Sequence, residues 1–84
     1  MAVAKKRVWL TFGSRPLVET PVLWRMTQKF PRVSFDIRQA SVTKDIGIMA
    51  VLFEGEAQEV ASALAFMAAE GVTVEPIEKN MLEG

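Results

Sequence analysis

Six consecutive apolar residues, Ile48 to Phe53 in the run GIMAVLFEG, constrain this chain more than any other feature. A strand with one wet face alternates. A run that is apolar at every position belongs in the middle of a sheet, or has its second face covered by something else. Just upstream, Val33, Phe35 and Ile37 alternate with Ser34, Asp36 and Arg38, which is the two-residue period of a half-buried strand. Thr43, Lys44, Asp45 and Gly47 separate the two and have the composition of a turn.

The remaining elements fall in place around this pair. Met1 to Ala4 read as a frayed tail. Arg7 to Gly13 read as a strand, with Val8, Leu10 and Phe12 on one side and Trp9 and Thr11 on the other. Gly13, Ser14, Arg15 and Pro16 punctuate it as a loop. Thr20 then suits an N-cap and Pro21 the first helical position, where a missing N–H costs nothing. Val22, Leu23, Met26 and Phe30 follow at helical spacing, Trp24 lies off their stripe as a flank contact, and Pro31 ends the helix.

After Gly55 closes the third strand, Glu56 to Glu70 form a second helix rich in alanine, with Val60, Ala61, Leu64, Met67 and Ala68 inward. Gly71 fits a left-handed residue after the helix, and Val72 and Val74 begin a last strand that Pro76 confines to an edge. The tail from Lys79 to Gly84 reads as loose. The order βαββαβ is α+β and ferredoxin-like: a four-stranded antiparallel sheet with two helices on one face, the first and third strands central. Residues 1–84 make a single domain with its core at about 7–78.

Strand parity then sorts the side chains. Val8, Leu10, Phe12, Phe35, Ile37, Met49, Val51, Phe53, Val72 and Val74 are expected under the helices. Trp9, Ser34, Asp36, Arg38, Ala40, Val42, Ile48, Ala50, Leu52 and Glu75 are expected on the opposite face. A monomer would not normally leave Trp9, Ile48, Ala50 and Leu52 together in water, so this face is expected to meet a second copy, as a homodimer, or a partner protein.

Composition narrows the chemistry. With neither cysteine nor histidine, the chain has no thiolate, no disulfide and none of the commonest general base or metal ligand. Asp36 and Asp45, the only aspartates, are not paired for acid–base work, and no phosphate-cradling glycine motif is present. Glu54, Glu56 and Glu59 straddle a strand end and a first helical turn, where helix-dipole solvation explains them better than a metal does. The expectation is a protein that is not an enzyme and carries no metal or other cofactor. No apolar run is long enough to cross a bilayer and the start lacks a signal-peptide core, which suggests a cytoplasmic protein with no membrane insertion.

Zero net charge conceals a split. Residues 1–44 carry nine Lys/Arg and two acids, and residues 45–84 carry one Lys and eight acids. Interleaving of the halves in the fold accounts for this more simply than a dipolar surface does. RNA-recognition modules share the strand–helix order, and Trp9 falls where their first-strand aromatic lies. The third strand, however, offers Ile48, Ala50 and Leu52 where stacking aromatics belong, and no basic surface is evident, so nucleic acid is not expected as a partner.

The run ETPVLWRMTQKFPRVSFDIRQASV, a polar turn, GIMAVLFEG, a helix with ALAFM, and GVTVEPI resembles the NIL domain over nearly the whole chain, from Val8 to about Glu78. Its signals are the Pro-headed first helix, the second-strand hydrophobic pair, the third strand ending in Gly55 and the closing Gly-Val-x-Val-Glu. The resemblance implies a small ferredoxin-like module similar to ACT regulatory domains. Such modules occur at the C-terminus of ATPase subunits of methionine-importing ABC transporters, beside iron–sulfur domains, and alone.

Transporter-linked members are implied to sense L-methionine at a paired-domain interface. The family's Asn-Ile-Leu motif aligns with Asp36, Ile37 and Arg38, so the resemblance places an amino-acid site on the second strand, at Asp36, Ile37, Arg38, Ala40 and Val42. Asp36 in place of the Asn loses amide donors and favours an ammonium, while Arg38 offers a cation for a carboxylate. The alternatives are that Asp36 and Arg38 only pair with each other on a solvated margin, and that the domain is an adaptor without a small ligand.

Overall fold

The computed structural model describes residues 2–77. Its elements are β1 (Val3–Phe12), α1 (Arg15–Glu19), α2 (Val22–Lys29), β2 (Ser34–Val42), β3 (Gly47–Glu56), α3 (Ala57–Ala69) and β4 (Thr73–Pro76). The four strands form one antiparallel sheet in the order β2-β3-β1-β4. The central pair is thus β1 and β3, as their apolar character requires, and the α+β architecture is consistent with the ferredoxin-like plan. β1 starts earlier than its sequence suggests. Val3 and Ala4, expected to fray, pair with Glu56 and Gly55, and the Ala57 N–H donates to the Ala2 carbonyl at 2.8 Å. The expected loose tail from Lys79 to Gly84 lies outside the described residues.

One apolar cluster fills the space between sheet and helices. Val8, Leu10 and Phe12 of β1 and Met49, Val51 and Phe53 of β3 meet Val22 and Met26 of α2 and Val60, Ala63 and Met67 of α3, with Val72 closing one end. On α3 the buried positions 60, 63 and 67 make the inward stripe, flanked by the partly buried Leu64; Ala61 and Ala68, expected inward, face solvent. The helix begins on Glu56, whose carboxylate accepts from the N–H groups of Gln58 and Glu59 and so satisfies two otherwise unpaired donors. It ends before Gly71, at φ 106°, the left-handed conformation a side chain would resist.

The first helical stretch is broken in two. The GSRP segment is not all loop: Ser14 and Pro16 start the five-residue α1, and the Val18 N–H donates to the Ser14 carbonyl at 3.1 Å. Thr20 does not cap the following helix as expected. It closes α1, with its hydroxyl donating to the Pro16 carbonyl at 2.7 Å and its backbone extended at φ −90°, ψ 131°. A residue before proline is driven out of the helical region by the proline ring, which is why the chain turns an elbow at Thr20–Pro21 and α2 restarts at Val22.

Three ion pairs join the basic half of the chain to the acidic half: Arg25 to Glu70 at 3.1 Å, Arg32 to Glu59, and Arg15 to Asp45 at 4.0 Å. The charge split in sequence is therefore folded together, with α2 and the segment after it set beside α3.

Candidate functional site

The register of β2 decides where the sequence-predicted site residues lie. Pairing with β3 proceeds Ser34↔Glu54, Phe35↔Phe53, Asp36↔Leu52, Ile37↔Val51, and then slips: the next partner of β3, Ala50, faces Gln39. Arg38 is the extra residue of a β-bulge, and a one-residue slip sends every later side chain to the other face. Ala40 now pairs with Met49 and Val42 with Gly47, so both turn to the helix side, and the expectation that they face away with Asp36 is overturned. The five residues expected to share one site are split between two faces.

At the near end, Asp36 stands on the open face and Arg38 reaches back to it, Nη1 donating to Oδ2 at 2.6 Å, with both side chains well exposed. Ile37 lies on the helix side beside Val51, yet it is 46% exposed and does not fill the core role expected of it. The cause is the position of the helix layer. α3 packs over β1, β3 and β4, and β2 is an edge strand on which only Phe35 is even partly buried.

At the far end is an apolar cavity of about 170 Å³. It lies where the α1–α2 elbow passes over the ends of β1, β2 and β3. Phe12, Val42 and Met49 line it from the sheet, and Val18, Val22 and Trp24 from the elbow. Gly47 sits in the register row between Phe12 and Val42, and its lack of a side chain leaves the floor open. The one hydroxyl on the wall, that of Thr20, is already donated to Pro16. Trp24 (59% exposed) and Val42 (55% exposed) form an apolar lip of the cavity.

Two charged residues neighbour parts of this lining in sequence and pair loosely, Arg15 Nε lying 4.0 Å from Asp45 Oδ1. Arg15 precedes Val18 by one helical turn, and Asp45 precedes Gly47 by two residues in the β2–β3 turn. That turn is tied by Thr43, whose N–H donates to the Ile46 carbonyl at 2.8 Å and whose hydroxyl oxygen accepts from the N–H groups of Asp45 and Ile46. None of Phe12, Val18, Trp24, Gly47 and Met49 was assigned to a site from sequence. The signal that could have found them is the Thr-Pro step, which breaks the helix over the sheet end.

The open face carries the other candidate surface. Cross-strand rows place Leu52 between Arg7 and Asp36, Ala50 between Trp9 and Gln39, and Ile48 between Thr11 and Ser41. Trp9, Ile48, Ala50 and Leu52 therefore do share a face, as expected. Their exposure is uneven: Ile48 is 42% exposed, Trp9 and Leu52 are half-buried, and Ala50 is buried at 2% within the chain itself. No described helix is long and apolar enough to cross a membrane.

Comparison with known proteins agrees with this architecture. The crystal structure of the C-terminal domain of an ABC transporter ATP-binding protein from Enterococcus faecalis superposes with a TM-score of 0.70 at 20% sequence identity, covering 88% of this chain and 84% of that one. At that identity the likeness is one of fold. No curated protein matches the chain. The family model of the NIL domain, however, matches residues 6–76, from within β1 to the end of β4, and the chain belongs to the NIL domain family.

Proposed function

We propose that this chain is a regulatory module, not an enzyme, and that it binds a small amino acid and couples that binding to association of the domain with a second copy. The observation that carries the reading is the apolar cavity at the elbow: a preformed, solvent-open recess on a module whose sequence has neither the cysteine nor the histidine of the commonest nucleophile–base pairs. The family to which the chain belongs supports a regulatory role, and the structural neighbour is the C-terminal domain of a transporter's ATP-binding protein, a position suited to controlling an attached motor. Methionine is the ligand that the family resemblance favours. The apolar row of Trp9, Ile48 and Leu52 is the surface proposed for the second copy. With no spanning helix among the described residues, the module is proposed to act on the cytoplasmic side.

The test is a thermal-shift screen of the purified chain against the twenty L-amino acids, followed by sedimentation with and without the best of them. A ligand that binds only the folded state raises the melting temperature by mass action, so methionine or another apolar amino acid should stabilise the protein and shift its mass distribution. Stabilisation by none of them would replace this reading with that of an adaptor that docks a protein partner alone.

A further inference from the structure

We propose that the free edge of β2 beyond its bulge is a docking site for an extended segment of another protein, one that alternates aliphatic residues and has an acid at each end. The inference does not depend on the amino-acid reading, and it concerns a different contact from the open face. Backbone polarity comes first. The Thr43 N–H donates to the Ile46 carbonyl at 2.8 Å, so Thr43 turns its backbone groups toward β3. Alternation along an antiparallel pair then turns those of Val42 and Ala40 outward, away from β3. β2 ends the sheet, and among the described residues nothing pairs with that outward row. Sheet edges are ordinarily protected by charge, proline or a bulge. β4, the other edge, has Glu75 and Pro76 within its four residues, and the bulge at Arg38 blunts the near half of β2. From Gln39 to Thr43 the far half carries neither charge nor proline.

The side chains beside this edge are those of a contact surface. Of the six large hydrophobic residues that stand exposed among the described ones, Ile37 and Val42 lie on β2, Ile46 in its turn and Trp24 at the cavity lip. Ile37, Ala40 and Val42 all face the helix side. A strand added to β2 lays one aliphatic side chain beside Ala40 and another beside Val42, at the mouth of the cavity. Charge decides against a second copy as the occupant. The register that uses both outward residues of each copy sets Ala40 of one against Val42 of the other. It also brings Arg38 of each beside Lys44 of the other, cation against cation at both ends. A foreign segment with an acid at each end meets the same two cations favourably.

The experiment is fluorescence anisotropy with a labelled peptide, Glu-Thr-Val-Ser-Val-Thr-Glu. Paired antiparallel to β2, its valines fall opposite Val42 and Ala40 and its acids fall near Lys44 and Arg38. It is expected to bind, and the same peptide with lysine at both ends to bind about tenfold more weakly. Lys44→Glu, at an exposed turn position, should weaken the acidic peptide and strengthen the lysine one. Ala40→Pro removes an outward N–H and none that faces β3, a change that an edge strand accepts. It should abolish binding of the acidic peptide while the melt stays cooperative. Peptide binding that survives Ala40→Pro, or that ignores the end charges, would overturn strand addition at this edge. No binding of the acidic peptide would overturn the proposal too, and self-association of the protein alone, lost in Ala40→Pro, would then assign the edge to a second copy. These outcomes are separate from the amino-acid screen, whose failure would overturn only the ligand reading.

Discussion

Phe53 and Leu52 are neighbours on β3, and the sheet separates them. Phe53 points into the helix layer, is fully buried and stands 6.3 Å from Phe35, ring centroid to centroid. Leu52 points the other way, between Arg7 and Asp36, and is half-buried with no second layer of described residues over it. One strand thus serves a finished core on one side and an unfinished surface on the other. The helix-side face is held by many mutual contacts and determines the fold. The open face, an apolar centre with a charged margin, is the surface proposed for association.

The sharpest way to test that contrast is to truncate each neighbour in turn. Phe53→Ala removes a ring from a closed core and leaves a cavity, so it should cost about 3–5 kcal/mol in urea unfolding, a large part of the stability of a domain this size. A loss below about 1 kcal/mol would mean that the face is not packed as described. Leu52→Glu probes the other side. If two copies meet over this face, the charge should lower the sedimentation mass toward monomer and reduce apparent stability by roughly 0.5–3 kcal/mol, with a melting temperature that no longer depends on protein concentration. An unchanged mass together with a stability change within about 0.5 kcal/mol would assign the half-buried Leu52 to an ordinary monomer surface.

Sequence made the two faces legible only in part, and the failures have definite causes. The parity of Val8, Leu10 and Phe12 and of Met49, Val51 and Phe53 was plain because both strands are long, central and regular. On β2 the apolar residues fall at 33, 35 and 37 and then at 40 and 42. The interval of three marks a phase slip, and reading it as unbroken alternation misplaced Ala40 and Val42. Edge strands tolerate such a bulge because only one neighbour enforces their register, and the bulge also blunts the exposed edge.

The elbow was missed for a different reason. Thr20–Pro21 fits a helix start as well as a helix break, and only the position of Val18 over the sheet end distinguishes the two. The exposure of Ile37 was illegible altogether. It depends on how far the helix layer extends sideways, which no local pattern encodes.

The margin of the open face offers the smallest and most discriminating effect. Asp36 and Arg38 pair at 2.6 Å across the bulge, two positions apart on one strand, with both side chains about 60% exposed. At that exposure solvent screens most of the attraction, and a double-mutant cycle of Asp36→Ala and Arg38→Ala should give a coupling of about 0.2–1 kcal/mol, shrinking further in 1 M salt. A coupling of this size makes the pair a local feature of the exposed strand edge, separate from the proposed association of the open face. If removing either member also shifted the sedimentation mass as strongly as Leu52→Glu does, the charged margin would belong to the contact itself. The boundary between the apolar centre and its rim would then have to be drawn one strand further out.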